Sequence, residues 1–416
     1  MDKIDFNNNA GLSGVSLDDS QGFAVDKTIR AYELYESKRY NDAISLAEGD
    51  FQISSTAYGQ VLIGNCYKAL NNKGKAIEHW KKAIDISPLE HFAYINIANE
   101  HYAAGEINEA ILNWIIASTI VPENSSVNLN LATAYNKKGF RIKATKYFEK
   151  YLFYEQNATS KEYLSIKHTM ANLTAKVDFF TKKVEEYKAK HDIKTIAALY
   201  LKMIATYANL PNVYANIAEI FFFDKNYEKA LEFFRTVYLN YPHTPKIILD
   251  VAHLSLILQK PSYAYCYYKR AMKHLVEGTS FYSTAQEKVR VLSYVLRDNE
   301  LIEQHLQAAR EAEADNDYET AVDEYENYII LTESENPELQ QLVDKYKIFI
   351  HPEPFVVNVL YSQIPELMNR KKLKACIAVC DRILRLADTH SKEAVYAIKC
   401  RTDCKRILLA REQFGV

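Results

Sequence analysis

Residues 64–88 read GNCYKALNNKGKAIEHWKKAIDISP, and two later stretches align with them without a gap: ANEHYAAGEINEAILNWIIASTIVP at 98–122 and ATAYNKKGFRIKATKYFEKYLFYEQ at 132–156. Ala76, Ala110 and Ala144 stand 34 residues apart, as do Trp80 and Trp114, and Pro88 and Pro122. Several independent positions that share one offset define a tandem repeat, which should be sought before any other feature. Around this core the composition is that of a folded chain, 48% hydrophobic and 25% charged. Only 11 Gly and 10 Pro occur in 416 residues. So few turn-formers argue for helices joined by brief loops rather than for many short strands.

The pattern resembles the tetratricopeptide repeat, a helix-turn-helix unit of about 34 residues with small, aromatic and Pro residues at such places. The resemblance implies an all-α chain, a right-handed α-solenoid of tandem helical hairpins. In that frame Gly64, Ala98 and Ala132 lie where the first helix approaches the second. Ala76, Ala110 and Ala144 answer from the second helix, and Trp80, Trp114 and Phe148 fill the space before the next unit. Gly105 and Gly139 suit the tight turn, and Pro88 and Pro122 stop the second helix. Weaker units follow the same frame at Ala31, Tyr40 and Ala43. Others run from Ala197 through Ala218, Ala230, Phe234, Ala252, Ala264, Tyr268 and Ala271, then at Ala309, Ala321 and Tyr325, and last at Leu373, Cys376, Cys380 and Ile383. The resemblance covers about residues 26 to 411.

Three intervals exceed the period: 53 residues from Ala144 to Ala197, 57 from Ala264 to Ala321 and 55 from Ala321 to Cys376. Each is expected to hold one extra helix. The expected organisation is a flexible polar tail at 1–25, a four-repeat array at 26–156, a long inserted helix plus a middle array at 157–275, and a degenerate region at 276–416. A hinge is expected near 352–354, where Pro352 and Pro354 bracket one residue and forbid helix. In the first insertion Tyr163, Ile166, Met170, Leu173, Val177, Phe180, Val184 and Tyr187 alternate at spacings of 3 and 4. That is a heptad seam, serving either the chain's own neighbouring helices or self-association. Charge is polarised near the end. Glu311, Glu313, Asp315, Asp317, Glu319, Asp323, Glu324 and Glu326 form an acidic pair of helices, read as solvated faces or as an attraction for a basic partner. Basic residues dominate from Arg370 onward.

In the family the first helices line a groove for extended peptides. Carried over, the lining positions are Asn65, Asn96, Asn99, Asn130, Asn136 and Asn216. Asn offers both a donor and an acceptor, so such a set grips a peptide backbone without reading its sequence. The subclass that clamps chaperone C-terminal carboxylates needs cations among these asparagines. Here Val61, Ser126 and Asn130 stand at the corresponding places, so that ligand lacks its main attraction. The cysteines offer one candidate for chemistry. Cys376 and Cys380, and Cys400 and Cys404, are each four apart and so share a helix face. Four such thiols would suit zinc or an iron–sulfur cluster, or else serve as small core residues. The spacing is not the usual C-x2-C, and core packing is the expected role.

No phosphate loop, nucleophile elbow or H-E-x-x-H occurs, so no enzyme and no cofactor is expected. The formal net charge of -2 offers nucleic acid no general attraction. No apolar run is long enough to insert in a membrane. The start lacks the marks of a signal peptide, and six cysteines without such a signal suit a reducing compartment, so the expected location is cytoplasmic. The expected function is a scaffold or adaptor that binds a partner polypeptide in the groove. The alternatives are a structural subunit of a larger assembly (secretion, pilus or flagellar in type) and a metal-binding sensor using the four cysteines.

Overall fold

The computed structural model describes residues 19–414 except 242–243, 295, 297–298, 334–335, 351 and 390. Among the described residues there are twenty-two helices and no strand. The chain divides into two compact units, one made of residues 1–122 together with 351–416, the other of residues 123–350.

The first unit opens with α1 (Asp19–Glu36), α2 (Tyr40–Gly49), the single turn α3 (Phe51–Ser54), α4 (Ala57–Ala69), α5 (Lys73–Ile86), α6 (His91–Ala104) and α7 (Ile107–Ile120). The second unit holds α8 (Ser125–Lys138), α9 (Arg141–Tyr154), α10 (Lys161–Lys188), α11 (Ile193–Thr206), α12 (Pro211–Phe223) and α13 (Tyr227–Asn240). It continues with α14 (Pro245–Ile257), α15 (Pro261–Met272), α16 (Ser280–Ser293), α17 (Asn299–Ala314), α18 (Tyr318–Thr332) and α19 (Pro337–Ile350). The chain then returns to the first unit with α20 (Glu353–Asn369), α21 (Leu373–Leu386) and α22 (Lys392–Phe414). Of the tail expected at 1–25, residues 1–18 lie outside the described residues, and helix begins at Asp19.

Antiparallel pairs are the building block, and their packing follows the sequence frame. Ala76, Trp80 and Ala83 of α5 are buried, as are Ala110, Trp114 and Ala117 of α7. A Cβ on Gly64 of α4 would stand 2.5 Å from Trp80 Nε1, so no larger residue fits there. In the second unit Ala230 and Phe234 share one core with Ala264, Tyr268 and Ala271.

Each hairpin turns through one residue with a left-handed backbone. These are Lys38, Asn71, Gly105, Gly139, His191, Lys225, Gln259, Asn316 and Lys371, with φ between 54° and 84°. In each case the next residue's N–H reaches back to a carbonyl five residues earlier, as from Asn226 to Phe221 and from Lys260 to Ser255. Glycine expected at the turn is confirmed at 105 and 139, but most hairpins make the same turn without it.

The three long intervals have different causes. The first adds no helix: α10 is itself 28 residues long and forms the hairpin with α11. The second adds α16 and the third adds α19. The expectation that Pro352 and Pro354 forbid helix is corrected here. Helix α19 ends at Ile350, His351 lies outside the described residues, Pro352 caps α20, and Pro354 sits in its first turn. The first turn needs no amide donors from its own residues, so proline starts this helix instead of forbidding it.

A left-handed residue with a side chain costs about 1 kcal/mol relative to glycine. Lys225→Gly and Gln259→Gly are therefore each expected to raise stability by about 0.5–1 kcal/mol. Gly105→Ala should lower it by a similar amount, since no atom lies within 4 Å of the added Cβ and only the backbone conformation is tested. Urea denaturation followed by far-UV circular dichroism reads both signs.

Candidate functional site

The asparagines of the first unit are partly committed inside the hairpins. Asn65 Oδ1 accepts from Trp80 Nε1 at 3.0 Å and from Asn96 Nδ2 at 2.8 Å. One repeat on, Asn99 Oδ1 accepts from Trp114 Nε1 at 3.2 Å. A buried indole N–H needs an acceptor, and a first-helix asparagine fifteen residues earlier supplies it in both repeats. Asn65, Asn96 and Asn99 are half-buried. Among the described residues, Asn65 Nδ2, Asn96 Oδ1 and Asn99 Nδ2 have no further hydrogen bond, so each carboxamide has one arm turned inward and one available. Beside them Glu100 is buried and ion-paired to Lys68 at 2.9 Å and Lys73 at 3.4 Å. Burial would raise its carboxyl, but the two lysines outweigh burial and hold it below its usual value.

In the second unit Asn130 on α8 is half-buried and Asn136 is exposed. Asn216 on α12 is exposed, and its Nδ2 lies 3.4 Å from the Tyr200 hydroxyl. The structure thus brings Asn65 and Asn96 together directly, with Asn99 one turn along α6.

Glu311 and Asp315 of the acidic helices are exposed as a solvated face would have them, but two other carboxylates follow neither course read from the sequence. Asp323 and Glu324 are buried in an ionic core that ties α18 to α13, α15 and α17. Arg235 bridges Asp323 at 2.8 Å and Glu324 at 2.5 Å. Arg270, itself buried, pairs with the other Asp323 oxygen and donates to the Asp323 carbonyl at 2.9 Å. Tyr267 donates to Asp323 at 2.6 Å and Tyr263 to Glu324 at 3.0 Å. His305 sits between Glu324 at 2.7 Å and the Ser262 hydroxyl at 3.0 Å. Ser262, His305 and Glu324 stand in the order of a charge relay, but they are 5%, 2% and 1% exposed. Both oxygens of Glu324 are also engaged by other partners. The arrangement therefore serves as an internal tie. Runs of charge on amphipathic helices resemble solvated faces, and that likeness hid this core. Arg270, between Tyr267 and Ala271 on an otherwise apolar stripe, was its one trace.

Residues 57–88, spanning α4 and α5, match the family model described as the tetratricopeptide repeat. Residues 57–88 form a tetratricopeptide repeat. No curated protein sequence matches the chain. Among solved structures it is similar to the tetratricopeptide-repeat domain of P58(IPK), with 13% identity, 85% of this chain and 98% of that one covered, and a TM-score of 0.38. It is similar to a tetratricopeptide repeat protein from Parabacteroides merdae, with 12% identity, coverage of 65% and 98%, and a TM-score of 0.30. It is also similar to Pseudomonas aeruginosa PilF, with 14% identity, coverage of 65% and 100%, and a TM-score of 0.29.

The α10 seam packs largely on its own chain. Val177 and Val184 are buried, with Phe180 and Tyr187 beside them, against Tyr200 and Met203 of α11 and Val213 and Ile217 of α12. Tyr163 packs on Tyr151, with ring centroids 6.3 Å apart. Ile166, Met170 and Leu173 are half-buried.

Cys376, Cys380, Cys400 and Cys404 are all buried between α21 and α22. The Cys404 thiol lies 3.3 Å from the Met368 sulfur. Burial pushes Cys376 and Cys380 up to about 11 and Cys404 up to about 12. Protonated thiols are poor metal ligands. Among the described residues no group of three or more His, Cys, Asp or Glu is arranged to hold a metal ion. No helix of the described residues is long and apolar enough to cross a membrane.

Removing one member of a buried ion pair strands the other, a loss of about 3–5 kcal/mol. Arg270→Met should cost that much in urea denaturation. Burial alone would raise the Asp323 carboxyl, yet Arg270 and Arg235 hold it below its usual value. A carboxyl lowered by folding adds stability above its unfolded value of about 3.9 and loses it as pH falls through the folded value. Wild type should therefore lose stability steeply below about pH 4, and Arg270→Met should lose less of it over the same range.

Proposed function

We propose that the chain is a non-catalytic scaffold that holds a partner polypeptide along the first-helix faces of its hairpins. The observation that carries this reading is the set of half-engaged carboxamides on adjacent helices, Asn65 on α4 with Asn96 and Asn99 on α6. Their inward arms are fixed by Trp80, Trp114 and each other. A carboxamide held in place loses little freedom when it meets a ligand, and it matches the donor and acceptor of a peptide group. Asn130, Asn136 and Asn216 extend the same chemistry to the second unit. Six free, buried cysteines suit a reducing compartment and support a cytoplasmic location.

A second reading, a structural subunit docked through its edges, draws on Phe51, Phe153 and Phe223, which are 81%, 78% and 78% exposed. Large apolar side chains left in water mark contact surfaces when they cluster. The triple variant Asn96→Ala, Asn130→Ala, Asn136→Ala spares both indole acceptors, so its hairpins remain intact. Under the scaffold reading, affinity purification with quantitative mass spectrometry should show its partners reduced about tenfold. Partners unchanged there but lost from Phe51→Ser, Phe153→Ser, Phe223→Ser would favour the assembly subunit.

A further inference from the structure

Charge divides the chain into opposed parts. Residues 370–416 hold 12 of the 51 Lys and Arg but only 5 of the 53 Asp and Glu, so this segment carries +7 and the remainder -9. Helix α22 gathers part of that positive charge on its outer face. Its inner face, Ala394, Ala397, Cys400 and Cys404, is buried on α20 and α21. At 3.6 residues per turn, Val395, Ile398, Thr402 and Leu409 fall in an arc of about 60° on the opposite side. Val395, Ile398 and Leu409 are 57%, 50% and 56% exposed. Exposed Lys392, Lys399 and Arg406 flank this arc on one side and exposed Lys405 on the other. We propose that the outer face of α22 docks on an anionic lipid surface: the helix lies flat, its aliphatic stripe enters the headgroup boundary, and its cations sit among the lipid phosphates and carboxylates. The inference stands apart from the scaffold reading, which concerns the first-helix faces.

The pairing of charge with aliphatic surface selects the occupant. An outer face that no further repeat covers is ordinarily polar, since solubility requires it. Here three aliphatic side chains interrupt the polar face in one line. The ion pairs of α22 use Lys392, Arg401 and Arg406, the last at 3.8 Å from Asp403. Among the described residues, Lys399 and Lys405 have none. Nucleic acid would engage the cations but leave the aliphatic stripe in water. Nor does this face offer a base a ring to stack on, because Tyr396 is turned onto Tyr361 with ring centroids 5.3 Å apart. A lipid interface satisfies both parts. Its acyl boundary takes an apolar helix face about 5–10 Å deep, and its negative surface potential attracts lysine and arginine. The lysine stems follow the apolar stripe while their heads stay at the surface. From Val395 to Leu409 the stripe runs about 21 Å. No helix of the described residues is long and apolar enough to cross a membrane, so the contact lies in the plane of the interface.

The test is flotation of the full-length chain with unilamellar vesicles of phosphatidylcholine, alone or with about 30% phosphatidylserine. Wild type should float with the anionic vesicles only. Raising salt from about 0.05 to 0.5 M should release it as the Debye length shortens. Two variants at exposed positions separate the contributions: Lys399→Gln with Lys405→Gln, and Val395→Ser with Ile398→Ser and Leu409→Ser. Each should bind about tenfold more weakly. Circular dichroism melts establish that both are folded, and if the serine variant is not, Leu409→Ser alone decides, with a loss of about threefold. The indole of Ile398→Trp should shift its emission to the blue on anionic vesicles, as a ring entering the interface does. No flotation with anionic vesicles overturns the proposal, and so does undiminished flotation of both variants. Flotation that the serine variant keeps in full, with no blue shift, reduces the contact to charge and overturns it too. A single-stranded oligonucleotide that then binds wild type more tightly than the vesicles do assigns the face to nucleic acid. An acidic protein captured by wild type and lost from both variants, without flotation, assigns it to a protein. None of these outcomes touches the asparagine variants on which the scaffold reading stands or falls.

Discussion

One contact distance governs the structure: the first helix of a hairpin must come close enough to the second for an indole to lie across its backbone. Gly64 permits this against Trp80, and the same asymmetry of a small residue facing a large one recurs down the chain. Packing at that distance buries the indole nitrogen, and a buried donor without a partner is costly. Asn65 and Asn99 answer that need. The residues read as ligand-binding are thus first of all consequences of the packing, which is also what would make them rigid in binding.

The ionic core of the second unit obeys a different logic. Helix α18 packs Ile330 and Leu331 on the apolar core of the second unit, but it is tied to α15 and α13 through arginines and carboxylates. One buried and one half-buried guanidinium with two buried carboxylates carry a large desolvation cost that their mutual attraction only offsets. Such a contact adds little net stability, but it admits few alternatives, because any shift strands a charge. The aromatic and alanine pairs elsewhere tolerate sliding far better.

What the sequence made legible was the local and the periodic. Alanine, tryptophan and proline at fixed offsets report one hairpin each, and the structure buries Ala76, Trp80, Ala110 and Trp114 where the frame put them. The turns were legible only at Gly105 and Gly139. Lys38, Lys225 and Gln259 adopt the same backbone without glycine because the helices on either side impose it. The candidate site was legible as residue type but not as state. Nothing in the spacing of Asn65 and Trp80 said that one would accept from the other. The heptad on α10 was legible as a seam, while its partners, α11 and α12, were settled by tertiary packing.

The first unit has a property that no local pattern encodes. Its last hairpins pack beside α7, and Arg382 reaches the carbonyl of Ile120, 262 residues away in sequence. Helices α1–α7 and α20–α22 therefore belong to one body, with an entire second unit synthesised between them. During translation α7 emerges long before α20 and α21, and its flank stays wet until they are made. Non-local closure of this kind is slow, and it makes later helices complete an earlier part of the chain.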